Sequence, residues 1–261
     1  MATWIGHLRI AETIYSQIPD LDEAQFTFGN IAPDSGIPNA DWTHFDPPKE
    51  VSHFLVSKEK GEMGVEDLAF YRAHLVNASI RKDRFLYSFL LGYYIHLLCD
   101  RLAMIKVGLP SMKAYSDLFA QNTETESWDL IKNDWYGLDQ LYVRDHPQCL
   151  FWRVFLTAPI PISPLPFVRQ DAFEHQIAYI REFYSRPSTD WVLERRYPYL
   201  SKTSMDLFVN QSSCLVLKVI KQLEASPELA GRHSGLEFLP EEDLLPLPPP
   251  MGDPSLPDLD H

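Results

Sequence analysis

An all-α fold, a single multi-helix domain, is what this sequence predicts, on three observations. Apolar residues in most segments of the first 225 positions recur at helical rather than alternating spacing. Glycine is scarce, 11 residues, against 21 prolines that punctuate the helical runs. With 45% hydrophobic residues in 261, the chain can bury a sizeable core.

Taken in order, the first helix spans about Thr3–Ile18, with Trp4, Leu8, Ala11, Tyr15 and Ile18 on one stripe and His7 on the adjoining face. Pro19-Asp20 ends it. Residues 28–53 hold two glycines and four prolines among Asn, Asp and Ser, which predicts a long irregular loop of the kind that usually carries function. Helices follow at about Val65–Ser79, Asp83–Met104, Tyr115–Asp145 (broken), Gln148–Phe155, Arg169–Phe183 and Ser201–Glu224. Between them, APIPISPLP over Ala158–Pro166 is an extended connector. The helical domain ends near position 225. From Pro227 the chain is Pro-rich and acidic, with little reason to pack, and residues 226–261 are expected to be an extended or disordered tail.

The balance of 23 Lys+Arg against 36 Asp+Glu gives a formal charge of −13, which argues against long nucleic acid or an anionic membrane surface as partner. The longest apolar run, Phe85–Leu98, contains Ser88 and His96 and is flanked by Arg84 and Asp100, so it reads as a core helix and no transmembrane segment is predicted. The first residues, MATWIGHLRI, lack an export signal, which predicts a cytoplasmic protein. Cys99, Cys149 and Cys214 are odd in number and widely spaced, as expected of reduced core thiols. The aromatic-rich helices leave room for a dimer face.

The segment Phe85–Asp100 is apolar on nearly every helical face and is therefore buried. His96 and Asp100, at i and i+4, leave the same face into that interior, where an unpaired carboxylate costs several kcal/mol. A His–Asp hydrogen bond closing the core would satisfy them, and so would a metal. Company favours the metal: His7 on a mostly apolar face, Asp34 in the loop and His53 closing it complete a three-His, two-Asp set suited to Zn²⁺. No phosphate loop, dinucleotide fingerprint, nucleophile elbow or HExxH is present.

The segments HLRIAE (7–12), FGNIAPDSG (28–36), WTHFDPPKEVSHF (42–54), FLLGYYIHLLCD (89–100) and KNDWYGLD (132–139) together resemble the bacterial zinc-dependent phospholipase C family, and more narrowly its cytoplasmic phospholipase C-like hydrolases. The resemblance covers roughly the first 145 residues. It implies an all-α fold of the phospholipase C/P1 nuclease type, binding zinc or another divalent transition metal as one or two ions and hydrolysing a small phosphoester or phospholipid-like substrate. By the same resemblance His7, Asp34, His53 (rather than His44), His96 and Asp100 are the metal ligands, with Asp100 bridging and Asp34 also orienting or deprotonating the attacking water.

The sequence departs from the secreted members in three places. Trp4 is preceded by Met-Ala-Thr, Arg101–Tyr115 contains no histidine, and no HxxxE lies in the helical domain before position 226. Asp134 or Asp139 could supply replacement carboxylates; His175, near Glu174 and Glu182, is a remoter candidate. Trp4, Trp42, Tyr93 and Tyr94 could wall the pocket. A metal cluster would lower the pKa of bound water and supply the positive charge that an acidic protein lacks. The alternative is a non-catalytic helical scaffold with a structural or vestigial metal and a partner-docking tail.

Overall fold

Several of the helices start at a residue whose side chain satisfies a free N–H. In the computed structural model, which describes residues 2–41, 43–57, 63–186, 192–225 and 231–248, Thr3 caps α1 (Trp4–Tyr15) by accepting from Gly6 at 3.2 Å. Asp22 caps α2 (Glu23–Ile31) and Asp83 caps α5 (Arg84–Ala103), accepting from the N–H groups of Gln25 and Leu86. Thr123 and Glu126 form a reciprocal capping box at the start of α8 (Glu124–Asp145). Between them lie α3 (Lys49–Ser52), α4 (Asp67–His74), α6 (Leu109–Ala114) and α7 (Ser116–Gln121). After them come α9 (Gln170–Ser185) and α10 (Lys202–Ala225). Helix makes up 66% and strand 3%, so the class is all-α.

Two features depart from the expected elements. Residues 28–31 belong to α2 rather than to a loop, because Gly29, a weak helix residue, faces the backbone of α5. The rest of the loop holds a two-residue hairpin, β1 (Ile37–Pro38) against β2 (Phe45–Asp46), and a second follows as β3 (Leu55–Ser57) against β4 (Met63–Val65). Strands this short carry too few alternations to show in a sequence.

α5 is the central element: Phe89, Tyr93, Tyr94, Leu97 and Leu98 are all fully buried. Its helical path continues through a π-turn at Met104–Gly108 into α6, and this stretch is long and apolar enough to cross a membrane, although most of its surface is covered by the rest of the chain. α2 lies directly on α5. A Cβ on Gly29 would stand 2.1 Å from the Phe89 carbonyl oxygen and one on Gly92 2.3 Å from that of Phe26, so the two backbones touch where both lack side chains.

Corrections fall on the tail and one cysteine. Residues 231–248 pack on the domain, burying Leu236, Leu239 and Leu247. They form two 3₁₀ turns, at Gly235–Phe238 and Glu241–Leu244, because leucines between the prolines find an apolar surface to cover. Positions 226–230 and 249–261 lie outside the described residues. Cys99 and Cys149 are buried, but Cys214 is on the exposed face of α10.

Candidate metal centre

Five side chains expected from the sequence meet at one place. His7 comes from the first turns of α1, Asp34 from the 3₁₀ turn Ala32–Asp34 after α2, His53 from the end of α3, and His96 and Asp100 from α5. They form two overlapping groups, His7–His96–Asp100 and Asp34–His53–His96, each with ligand atoms within 4.8 Å of one another. His7 and His96 are fully buried, His53 and Asp100 nearly so; Asp34, at 16% side-chain exposure, is the open edge.

Ring orientation is fixed from behind. The close α2–α5 crossing brings the Asn30 carbonyl to 2.8 Å from His96 Nδ1, and a carbonyl can only accept, so Nδ1 carries the proton. Whenever the ring is neutral, the Nε2 of His96 is then a bare lone pair. It faces His53 Nε2 at 3.3 Å, Asp100 Oδ2 at 3.6 Å and Asp34 Oδ1 at 3.9 Å. His53 is held by Ser52 Oγ at 2.9 Å from its Nδ1, and the Ser52 carbonyl in turn accepts from the Tyr93 hydroxyl. His53 Nε2 lies 3.3 Å from Asp34 Oδ1 and 3.5 Å from Asp100 Oδ2. The other Asp100 oxygen, Oδ1, faces His7 Nε2 at 3.2 Å and accepts from the Ala2 N–H at 2.9 Å.

Imidazole nitrogens facing carboxylates this closely need positive charge between them, which a proton on the ring or a metal ion would supply. Zinc–ligand bonds of about 2.0–2.1 Å in a tetrahedron place ligand atoms roughly 3.3 Å apart, which the separations here match. The donor set therefore fits a divalent ion, with Asp100 able to present one oxygen to each side.

The titration directions describe the same shortage of positive charge. Burial works to lower the His96 pKa, yet Asp100 and Asp34 raise it above the ordinary value. Burial and the charge on His96 lower that of His7, whose ring is stacked on His96 at 3.8 Å, so the two rings do not both become cationic. Burial would raise both carboxyls, but the imidazoles hold Asp34 at about 2 and Asp100 well below the usual range.

The remaining candidates stand elsewhere. Asp134 is a correction: its carboxylate is taken by Arg195 Nη1 at 2.7 Å and by the N–H groups of Tyr199 and Leu200, so it anchors residues 195–200 and is not brought to the cluster. Asp139 is buried under the Tyr184 hydroxyl at 2.8 Å, outside both ligand groups. His175, Glu174 and Glu182 are exposed on α9, and His44 is exposed on the hairpin. Tyr93 and Tyr94 are core residues with bonded hydroxyls. Trp4 is half-buried among Tyr136, Tyr179, Phe183 and Tyr184, while Trp42 lies outside the described residues. The supporting contact the sequence could not reveal is Asn30, which acts through its backbone carbonyl and so leaves no mark in residue type. Compared with protein-family models, with curated proteins and with solved structures, the chain matches none.

Proposed function

We propose that this protein is a metal-dependent hydrolase of small phosphoesters, using zinc or another divalent transition metal held by His7, Asp34, His53, His96 and Asp100. One observation carries the metal reading: His96 Nε2, turned inward because Nδ1 donates to the Asn30 carbonyl, faces Asp34, Asp100 and the His53 ring nitrogen at distances that suit a shared cation. The reaction class rests on the resemblance of the five sequence segments to phospholipase C-like hydrolases.

A divalent ion in this donor set supplies Lewis acidity toward a phosphoryl oxygen and acidifies water. The chain's own residues do the rest. His7, His53 and His96 hold their rings rigidly, two of them through hydrogen bonds on Nδ1. Asp34, the open carboxylate, accepts a hydrogen bond from the attacking water and orients it toward the substrate. Asp100 joins the His7 side to the His53 side. In a chain of net charge −13, this arrangement lets an anionic substrate approach without a cluster of Lys and Arg.

A closed structural metal centre is the second reading, favoured by the near-complete burial of every ligand except Asp34. Elemental analysis of wild type, His96→Ala and Asp100→Asn, followed by a panel of phosphomonoesters and phosphodiesters, tests both. Bound transition metal lost in both variants, with turnover in wild type, is the expected result. Metal without turnover favours the structural centre, and less than about 0.2 equivalents after reloading removes the metal reading.

A further inference from the structure

Two buried ionisable side chains outside the His/Asp cluster, one acid and one base, find hydrogen-bond partners in one piece of chain. Asp67, at the start of α4, is fully buried. Its Oδ1 accepts from the Gly235 N–H at 2.7 Å and the Tyr94 hydroxyl at 3.2 Å, while Oδ2 has no partner. Lys106, 2% exposed in the π-turn, donates to the carbonyls of Asp243 and Leu245, each at 2.9 Å. Of these partners Gly235, Asp243 and Leu245 all come from residues 231–248.

The same strap is tied down at its edges. Leu68 N–H donates to the His233 carbonyl, His233 Nδ1 lies 2.9 Å from Glu66 Oε1, and Leu247 N–H donates to the Lys106 carbonyl. Gly235 sits so close to α5 that a Cβ there would lie 2.4 Å from the Tyr94 hydroxyl. Lifting the strap would therefore hydrate the Asp67 carboxyl and uncover Tyr94 and Leu98 on the helix that also carries His96 and Asp100.

We propose that residues 231–248 form a pH-controlled strap, closed over α4 and α5 while Asp67 carries a proton and loosened when Asp67 ionises. The charged and titratable groups around Asp67 are Glu66 on its own helix, Arg101 and Tyr94 from α5, and His233 and Glu237 from the strap; α10 contributes the apolar Val219. Burial outweighs the help from Gly235, Ser234, Arg101 and Tyr94 and lifts the carboxyl from 3.8 to about 6. The closed strap therefore binds the proton more tightly than the open one, which exposes the carboxyl to water. By linkage the open fraction is lowest below pH 3.8, rises roughly 100-fold between there and about pH 6, and levels off above it. None of this depends on a metal.

Hydrogen exchange of peptides spanning 233–247, corrected for the intrinsic pH dependence of amide exchange, tests it on the full chain from pH 4 to pH 8. Wild-type strap opening should rise roughly 100-fold while α10 stays protected, and Asp67→Asn, neutral at every pH, should show no such rise. Two further variants keep the test decisive if Asp67→Asn does not fold. Tyr94→Phe removes a donor to Asp67 and should move the midpoint to higher pH, whereas His233→Gln should leave it in place. A pH-independent strap in wild type, a rise that persists in Asp67→Asn, or a midpoint that follows His233 instead of Tyr94 overturns the proposal.

Discussion

Gly92→Ala should disturb the candidate metal centre from four residues away. The new Cβ would start 2.3 Å from the Phe26 carbonyl oxygen, and such contacts essentially never close below 3.0 Å, so α2 must retreat by about 0.7 Å. That retreat stretches the Asn30 carbonyl to His96 Nδ1 contact from 2.8 Å to about 3.5 Å, where the hydrogen bond is effectively lost. Overpacking costs about 1–3 kcal/mol and an orphaned buried donor a comparable amount, so a loss of about 3 kcal/mol follows. For a domain of this size that is a fall in Tm of roughly 10 °C. Urea unfolding followed by tryptophan fluorescence gives the stability, and histidine nitrogen NMR gives the His96 tautomer. Wild type should show a single Nδ1–H tautomer at His96 and the variant a mixture, with weakened metal affinity. A variant within about 0.5 kcal/mol of wild type, its tautomer unchanged, would refute the argument that this crossing holds the ring.

Zinc should raise the Tm of wild type in a concentration-dependent way, with no effect on His96→Ala; thermal scans against zinc concentration check this. Asp134→Ala should leave metal content unchanged yet cost about 3 kcal/mol, because it strands Arg195 and two backbone N–H groups; denaturation paired with elemental analysis separates the two effects. Burial raises the Asp139 carboxyl from 3.8 to about 7, so its neutral form is the one the fold prefers. Its favourable contribution is complete below about pH 3.8 and is lost as pH rises through about 7. Asp139→Asn should therefore unfold at higher urea than wild type at pH 8 and lose that advantage near pH 4, as paired urea titrations would read out.

Periodicity and end signals made the helices legible. Phe85–Leu98 is apolar all round, so the segment had to be buried, and the 3.6-residue repeat alone puts His96 and Asp100 on one face. The resemblance preferred His53 to His44, and the structure places His53 beside His96 and His44 exposed in the hairpin. These are local properties: a repeat of a few residues states which face of a segment avoids water.

What that face meets depends on residues far away in the chain, and only the tertiary structure decided it. Asp134 and Asp139 are both buried acids on α8, yet one meets Arg195 and the other Tyr184, and nothing in KNDWYGLD distinguishes them. Gly29 looked like a loop residue until the backbone of α5 lay against it. The proline-rich end of the chain looked free because its composition favours no regular element, but Leu236, Leu239 and Leu247 had an apolar surface to cover and Asp67 and Lys106 needed its backbone. Sequence thus determined most of the helices and the pairing of His96 with Asp100 on one face, because both follow from short-range geometry. Tertiary structure alone determined tautomer, partner and strap, because burial and hydrogen bonding are settled between segments the chain order does not place together.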